Sequence, residues 1–184
     1  TVPFLYYIFN SVGIDPQYIM HLAVGTSFAI IIPTSLVSVY THNKHKSVDP
    51  NIVKTYGLFV IIGVLLGTTF AALAKTKLLV VFFTVVVFCL GTYLLINSNQ
   101  QTISKNKFKL HFRIIFGLLS GFISAPMGIG GAVMNVPILK YFGYPIKKAI
   151  GSAASIGFII ALFGTIGFLF SGNYLNANLP LSIG

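Results

Sequence analysis

Residues 114–139 read IIFGLLSGFISAPMGIGGAVMNVPIL, an uncharged run whose centre, Ala125-Pro126-Met127-Gly128-Ile129-Gly130-Gly131, resists helix formation. As one straight helix its 26 residues would reach about 39 Å, more than the roughly 30 Å hydrocarbon core of a bilayer. Proline lacks the N–H that an inner helical position donates, and each glycine lowers helix stability by about 1 kcal/mol relative to alanine. The run is therefore predicted to break into two pieces, 111–124 and 129–142, each too short to span alone. Within lipid, a broken backbone persists only where protein or a water-filled cavity satisfies its freed polar groups. The break is thus expected inside the protein, near mid-membrane.

The remaining chain suits the same medium. Of its 184 residues 55% are hydrophobic and 8% charged, against about 25% charged in soluble domains, which excludes a soluble globular enzyme. Charge-free runs over 22–41, 55–74 and 78–96 are each long enough to cross a bilayer. A further span is predicted over 150–170, with the start of another after a polar turn at 171–178. The 12 Lys and Arg residues face 2 Asp and Glu, a net charge of +10, and they sit in short loop clusters rather than on one contiguous face. That distribution argues against a nucleic-acid partner and for a lipid bilayer. The lone Cys89 lies in an apolar run and is expected to pack there. His42 and His45 have metal-like spacing but no Cys or carboxylate partner, so they read as a solvated loop. No cofactor motif is present, and the want of an acidic or histidine constellation within the spans argues against a membrane-embedded enzyme. Both ends stop in uncharged sequence, and the chain reads as the middle of a longer protein.

A repeat is visible. Val2-Pro3-x-Leu5-x-Tyr7 matches Val136-Pro137-x-Leu139-x-Tyr141, and Ala23-x-Gly25-Thr26 matches Ala149-x-Gly151-Ser152, with a connection eight residues longer in the first copy. If the broken segment enters and leaves on one side, the loops carrying Lys44 to Lys54, Lys105 to Arg113, and Lys140, Lys147 and Lys148 share the cytoplasmic face. Asp15 and the turn at 171–178 then lie outside, with Lys75 and Lys77 as the exception to the positive-inside rule. The span after Leu22 runs inward and its copy after Ala149 outward. The fold class is therefore all-α: a polytopic membrane protein of two inverted repeats, residues 1–110 and 111–184, each with a broken or re-entrant helix. Many secondary transporters have this architecture.

These residues carry a resemblance. The Gly128-Ile129-Gly130-Gly131 break followed by Val136-Pro137-x-Leu139, and the Ala23-Val24-Gly25-Thr26-Ser27 opening of a span, resemble the sulfite exporter TauE/SafE family of membrane transporters. The resemblance extends over essentially the whole chain. It departs at Ala132, which shortens the glycine run, and at Gly151-Ser152-Ala153, which replaces a second Gly-Thr-Ser. It implies an integral protein of the bacterial plasma membrane that exports or exchanges a small anionic substrate such as sulfite or a sulfonate.

A half-helix starting near Ile129 would aim unpaired backbone N–H groups and the positive end of its dipole into the break, a place suited to an oxyanion. Gly128, Gly130 and Gly131 would let the ligand approach the backbone. Ser124, and Thr26, Ser27 and Ser152 beside Gly25 and Gly151 at the openings of the paired spans, would add hydroxyls, and Asn135 an amide. Glycines outside the break, such as Gly63, Gly67 and Gly91, read as helix-packing positions. The competing reading is a structural or assembly subunit that uses the break only for packing. Asp15 and Asp49 both fall in loops, which disfavours proton coupling through a carboxylate within this stretch.

Overall fold

The computed structural model describes residues 1–96 and 109–174, and these form seven helices: α1 (Val2–Ser11), α2 (Ile19–Lys44), α3 (Pro50–Leu73), α4 (Thr76–Ile96), α5 (Leu110–Met127), α6 (Ala132–Tyr141) and α7 (Ile146–Tyr174). No strand occurs among the described residues. Five helices, α2, α3, α4, α5 and α7, are long and apolar enough to cross a membrane. The spans therefore fall where the charge-free runs placed them. Helix α7 continues through Tyr174, beyond the start of the turn expected at 171, and the further span expected after that turn lies outside the described residues.

The most extensive helix contact joins α3 to α5. Gly63 and Gly67 on α3, and Gly117 and Gly121 on α5, stand four residues apart on each helix, so each pair lies on one face. A Cβ on Gly121 would strike the carbonyl of Val60, and one on Gly63 the carbonyl of Leu118. One on Gly67 would stand 2.6 Å from the carbonyl of Phe122. Backbone thus meets backbone, the close approach that small residues allow inside a membrane. The contacts advance together along both helices, so α3 and α5 run parallel. Gly91 has nothing within 4 Å and plays no such part. Cys89 is exposed on α4 rather than packed, because α4 touches the bundle along little of its length.

One end of the bundle collects the cations. Asp49 caps α3, its Oδ1 accepting from the N–H groups of Asn51 (3.0 Å) and Ile52 (3.4 Å), with Pro50 at the first helical position. The Asp49 N–H donates to Ser152 Oγ on α7 (3.0 Å), and Arg113 on α5 donates to Thr55 Oγ1 on α3 (2.6 Å). Lys44, Lys46, Lys54, Lys109, Lys140, Lys147 and Lys148 occupy the helix ends and turns around this junction. Lys75 and Lys77 lie at the opposite end, where His21 Nε2 donates to the carbonyls of Ala71 (3.0 Å) and Ala74 (3.1 Å) that α3 leaves unpaired.

The broken run is a re-entrant hairpin. Phe142, just past α6, packs its ring against Phe112 (5.5 Å) and Phe116 (5.7 Å) near the start of α5, so the chain leaves at the end where it entered. The two arms are unequal. Helix α5 has 18 residues, about 27 Å by its rise, whereas α6 has 10, so the expectation of two equal short pieces fails. It fails because Pro126 does not end the helix. The residue sits in the last turn of α5, and the Phe122 carbonyl left without its N–H faces the bare Cα of Gly67. The backbone turns only at Gly128, which is left-handed (φ 58°, ψ 32°), as C-terminal helix caps commonly are.

Gly121→Ala should lower stability by about 1–3 kcal/mol, since the added methyl meets backbone that cannot step aside. Gly91→Ala should change it by less than about 0.5 kcal/mol. Denaturant unfolding in detergent micelles measures both, and equal effects would contradict the assignment of the α3–α5 contact.

Candidate functional site

The tip of the hairpin, residues 128–131, lies within the thickness of the bundle. Its neighbour Ser27 is eight residues into α2, about 12 Å from that helix's start. Ser27 Oγ donates to the carbonyl of Gly128 (2.9 Å). The 2.6 Å bond between Thr1 Oγ1 and Ser27 Oγ must then carry the Thr1 proton, because the single Ser27 proton is already committed. Val2 presses on Gly128, whose Cβ would lie 2.9 Å from a Val2 methyl. From there α1 runs along α2 toward the end where α2 begins.

The second half of the tip is fixed from the other side. Gly131, at φ 64°, is the residue before α6, and it is left-handed as only glycine adopts without strain. Its carbonyl accepts from the side-chain Nδ2 (2.7 Å) and the backbone N–H (2.9 Å) of Asn135. Asn135 is fully buried, and its Oδ1 accepts from Tyr56 on α3 (2.7 Å) and Ser120 on α5 (2.9 Å). One side chain therefore ties α6 to both glycine-packed helices. Behind the tip, α7 approaches through Gly157, where a Cβ would collide with the Gly130 carbonyl, and through Ile160 beside Gly131.

The front of the tip is open. Ile129 and Gly130 are half-buried, and Ala132 and Val133 in the first turn of α6 are exposed. No side chain caps that turn; the Ala132 N–H turns back to the Gly130 carbonyl (2.7 Å), which leaves those of Val133 and Met134 without an intrahelical partner at the positive end of the helix dipole. Around them stand hydroxyls and an amide, all uncharged at neutral pH. Among the described residues no group of three His, Cys, Asp or Glu side chains is placed to hold a metal.

Of the residues singled out in the sequence, Gly128, Gly130, Gly131, Ser27 and Asn135 come together here. Ser124 is buried in the last turn of α5, four residues before Gly128. Thr26 is half-buried beside Ser27, and Gly25 has no atom within 4 Å of where a Cβ would stand. Gly151 and Ser152 do not join the group. They pack on the α2–α3 connection, Gly151 against the Ser47 carbonyl and Ser152 on Asp49. Asn135 holds the protein together with its oxygen instead of presenting it outward. Sequence reasoning missed Ser120, although its spacing of four from Ser124 puts both on one face of α5. It also missed Tyr56, Thr1 and Gly157, for which a single sequence holds no local signal.

The sequence model described as "Sulfite exporter TauE/SafE" matches residues 1–184. The chain belongs to this family. A probable membrane transporter protein of Haemophilus influenzae is 29% identical over 171 residues, 93% of this chain and 65% of that protein. One from Methanocaldococcus jannaschii is 30% identical over 170 residues, 92% of this chain and 63% of that protein. A third, from Bacillus subtilis, is 23% identical over 161 residues. This TauE/SafE chain thus spans a little under two thirds of the length of the first two relatives. No solved structure matches it. Together with the five apolar helices, these likenesses make it an integral membrane protein of a transporter family.

Asn135→Leu takes the acceptor from the buried Ser120 hydroxyl, at about 1–3 kcal/mol, while Tyr56 keeps the Phe116 carbonyl (3.2 Å) and the Gly131 carbonyl keeps the backbone N–H of residue 135. Tyr56→Phe removes one donor while Ser120 stays bonded to Asn135, at a cost of about 1 kcal/mol. Unfolding of both variants in micelles should show the Asn135 change as the larger.

Proposed function

We propose that the chain is the core of a secondary transporter that exports or exchanges small anions, with sulfite and sulfonates as the favoured class, by alternating access at the hairpin tip. The observation that carries this reading is the tip itself. The N–H groups of Val133 and Met134 in the first turn of α6 have no intrahelical partner, and they follow the half-buried Gly130, where no side chain screens the backbone. A buried oxyanion gains charge-assisted hydrogen bonds there without meeting a fixed negative charge. The family name supplies the sulfur oxyanion.

The second element of the proposal is the inverted repeat, residues 1–110 against 111–184. Helices α1 and α2 form one hairpin, and α6 and α7 another. Helix α2 runs toward the basic end and α7 away from it, in keeping with the duplicated Val-Pro-x-Leu-x-Tyr motif. Two such units rocking about a shared tip would expose it to each end in turn.

Proteoliposomes loaded with labelled sulfite or a short sulfonate test the proposal, with saturable efflux as the expected result. Gly130 lies against Ile31, 3.1 Å from its would-be Cβ, so Gly130→Leu crowds the open flank. Losing one charge-assisted bond there corresponds to about a tenfold or greater drop in apparent affinity, with Gly91→Ala as the unaffected control. A flat trace across a broad anion panel from correctly inserted protein would favour the structural-subunit reading instead.

A further inference from the structure

Between α4 and the α5–α6 hairpin lies a cavity of about 380 Å³. Leu90 and Tyr93 of α4, Leu119 and Ile123 of α5, and Val133 and Ile138 of α6 form its walls. It runs from Val133, at the tip, to Tyr141 and Phe142 at the basic end, about 13 Å along α6. Ser120 reaches it, but its hydroxyl is turned to Asn135, so the cavity asks for a hydrocarbon and not for a polar ligand. It also opens sideways. Leu119, Tyr93 and Tyr141 are each more than 40% exposed, which leaves the groove open along this side.

The mouth has a different chemistry. Lys140 lies three residues beyond Pro137, on the flank of the α6 face that lines the groove. Lys109 is the residue before α5, at the end of the helix where the Phe112 ring meets Phe142. At this end the described cations outnumber the carboxylates heavily, and the one carboxylate, Asp49, is bonded to the first turn of α3. A hydrocarbon slot inside the membrane, with two lysines at its interfacial mouth and aromatic rings between, has the shape of one amphiphile.

We infer that this groove is a binding site for an anionic phospholipid of the surrounding bilayer. One acyl chain lies along α6 between α4 and α5, and the headgroup phosphate sits at Lys109 and Lys140. A polybasic surface attracts acidic headgroups, while the apolar walls hold the chain in place. This inference needs only membrane insertion and stands whether or not the hairpin tip binds an anion.

The chain contains no Trp, so one introduced indole reports alone. The full chain carrying Leu119→Trp is reconstituted in phosphatidylcholine vesicles, and quenching is read as phosphatidylglycerol or phosphatidylcholine with brominated chains is titrated in. The expected result is a preference for phosphatidylglycerol of about fivefold for each lysine engaged. Leu66→Trp, on exposed α3 surface away from the groove, should show no preference. Lys109→Gln with Lys140→Gln should abolish the preference at 119 while quenching persists. Leu90→Trp, on the facing wall, gives the same reading if the first variant does not fold. Equal quenching by the two lipids at the groove overturns the inference. So does no quenching by either, the outcome if another protein segment covers the groove.

Discussion

Inside a bilayer a peptide group that leaves the helix must be answered by protein, and the architecture follows from how the turn at residues 128–131 is answered. The Gly128 carbonyl takes the Ser27 hydroxyl from a residue 101 positions earlier in the chain. The Gly131 carbonyl takes both nitrogens of Asn135. The Phe122 carbonyl, stripped of its donor by Pro126, rests on Gly67. The contacts come from α2, α6 and α3 in turn, so the tip is held by helices distant in sequence as well as by its own arm.

The sequence made the plan legible where the physics is local. Charge-free length located the spans, because about 20 apolar residues are what the hydrocarbon core requires. The break was legible in its glycines, and the hairpin in the shared basic loops, which the Phe112 and Phe116 contacts to Phe142 bear out. Pro126 was overweighted because its penalty belongs to helix interiors, whereas near a helix end little remains for it to disrupt. The membership of the site was only half legible. Ser27 belongs to it, bonded to the Gly128 carbonyl, whereas Ser152, which the motif pairs with Thr26, is bonded to Asp49 at the basic end. Asn135 looked like an available amide, and nothing local reveals that Tyr56 and Ser120 already occupy its oxygen.

The same economy of side chains runs through the bundle. Glycines on α3 and α5 remove the layer that usually separates helices, and those on α7 let it touch the tip at Gly130 and Phe28 at Gly164. Such contacts rest on close packing rather than on an apolar drive, since lipid tails are as apolar as leucine. Helix α4 has none of them, and its loose seating is what leaves a slot beside the hairpin.

Where α3 and α5 cross at Gly63 and Gly121, backbone lies against backbone with no side chain of its own to absorb displacement. The pair therefore behaves as a single stiff beam, and a tilt of one carries the other. Helix α6 is fastened to this beam through Asn135, so the short arm of the hairpin follows wherever the beam goes.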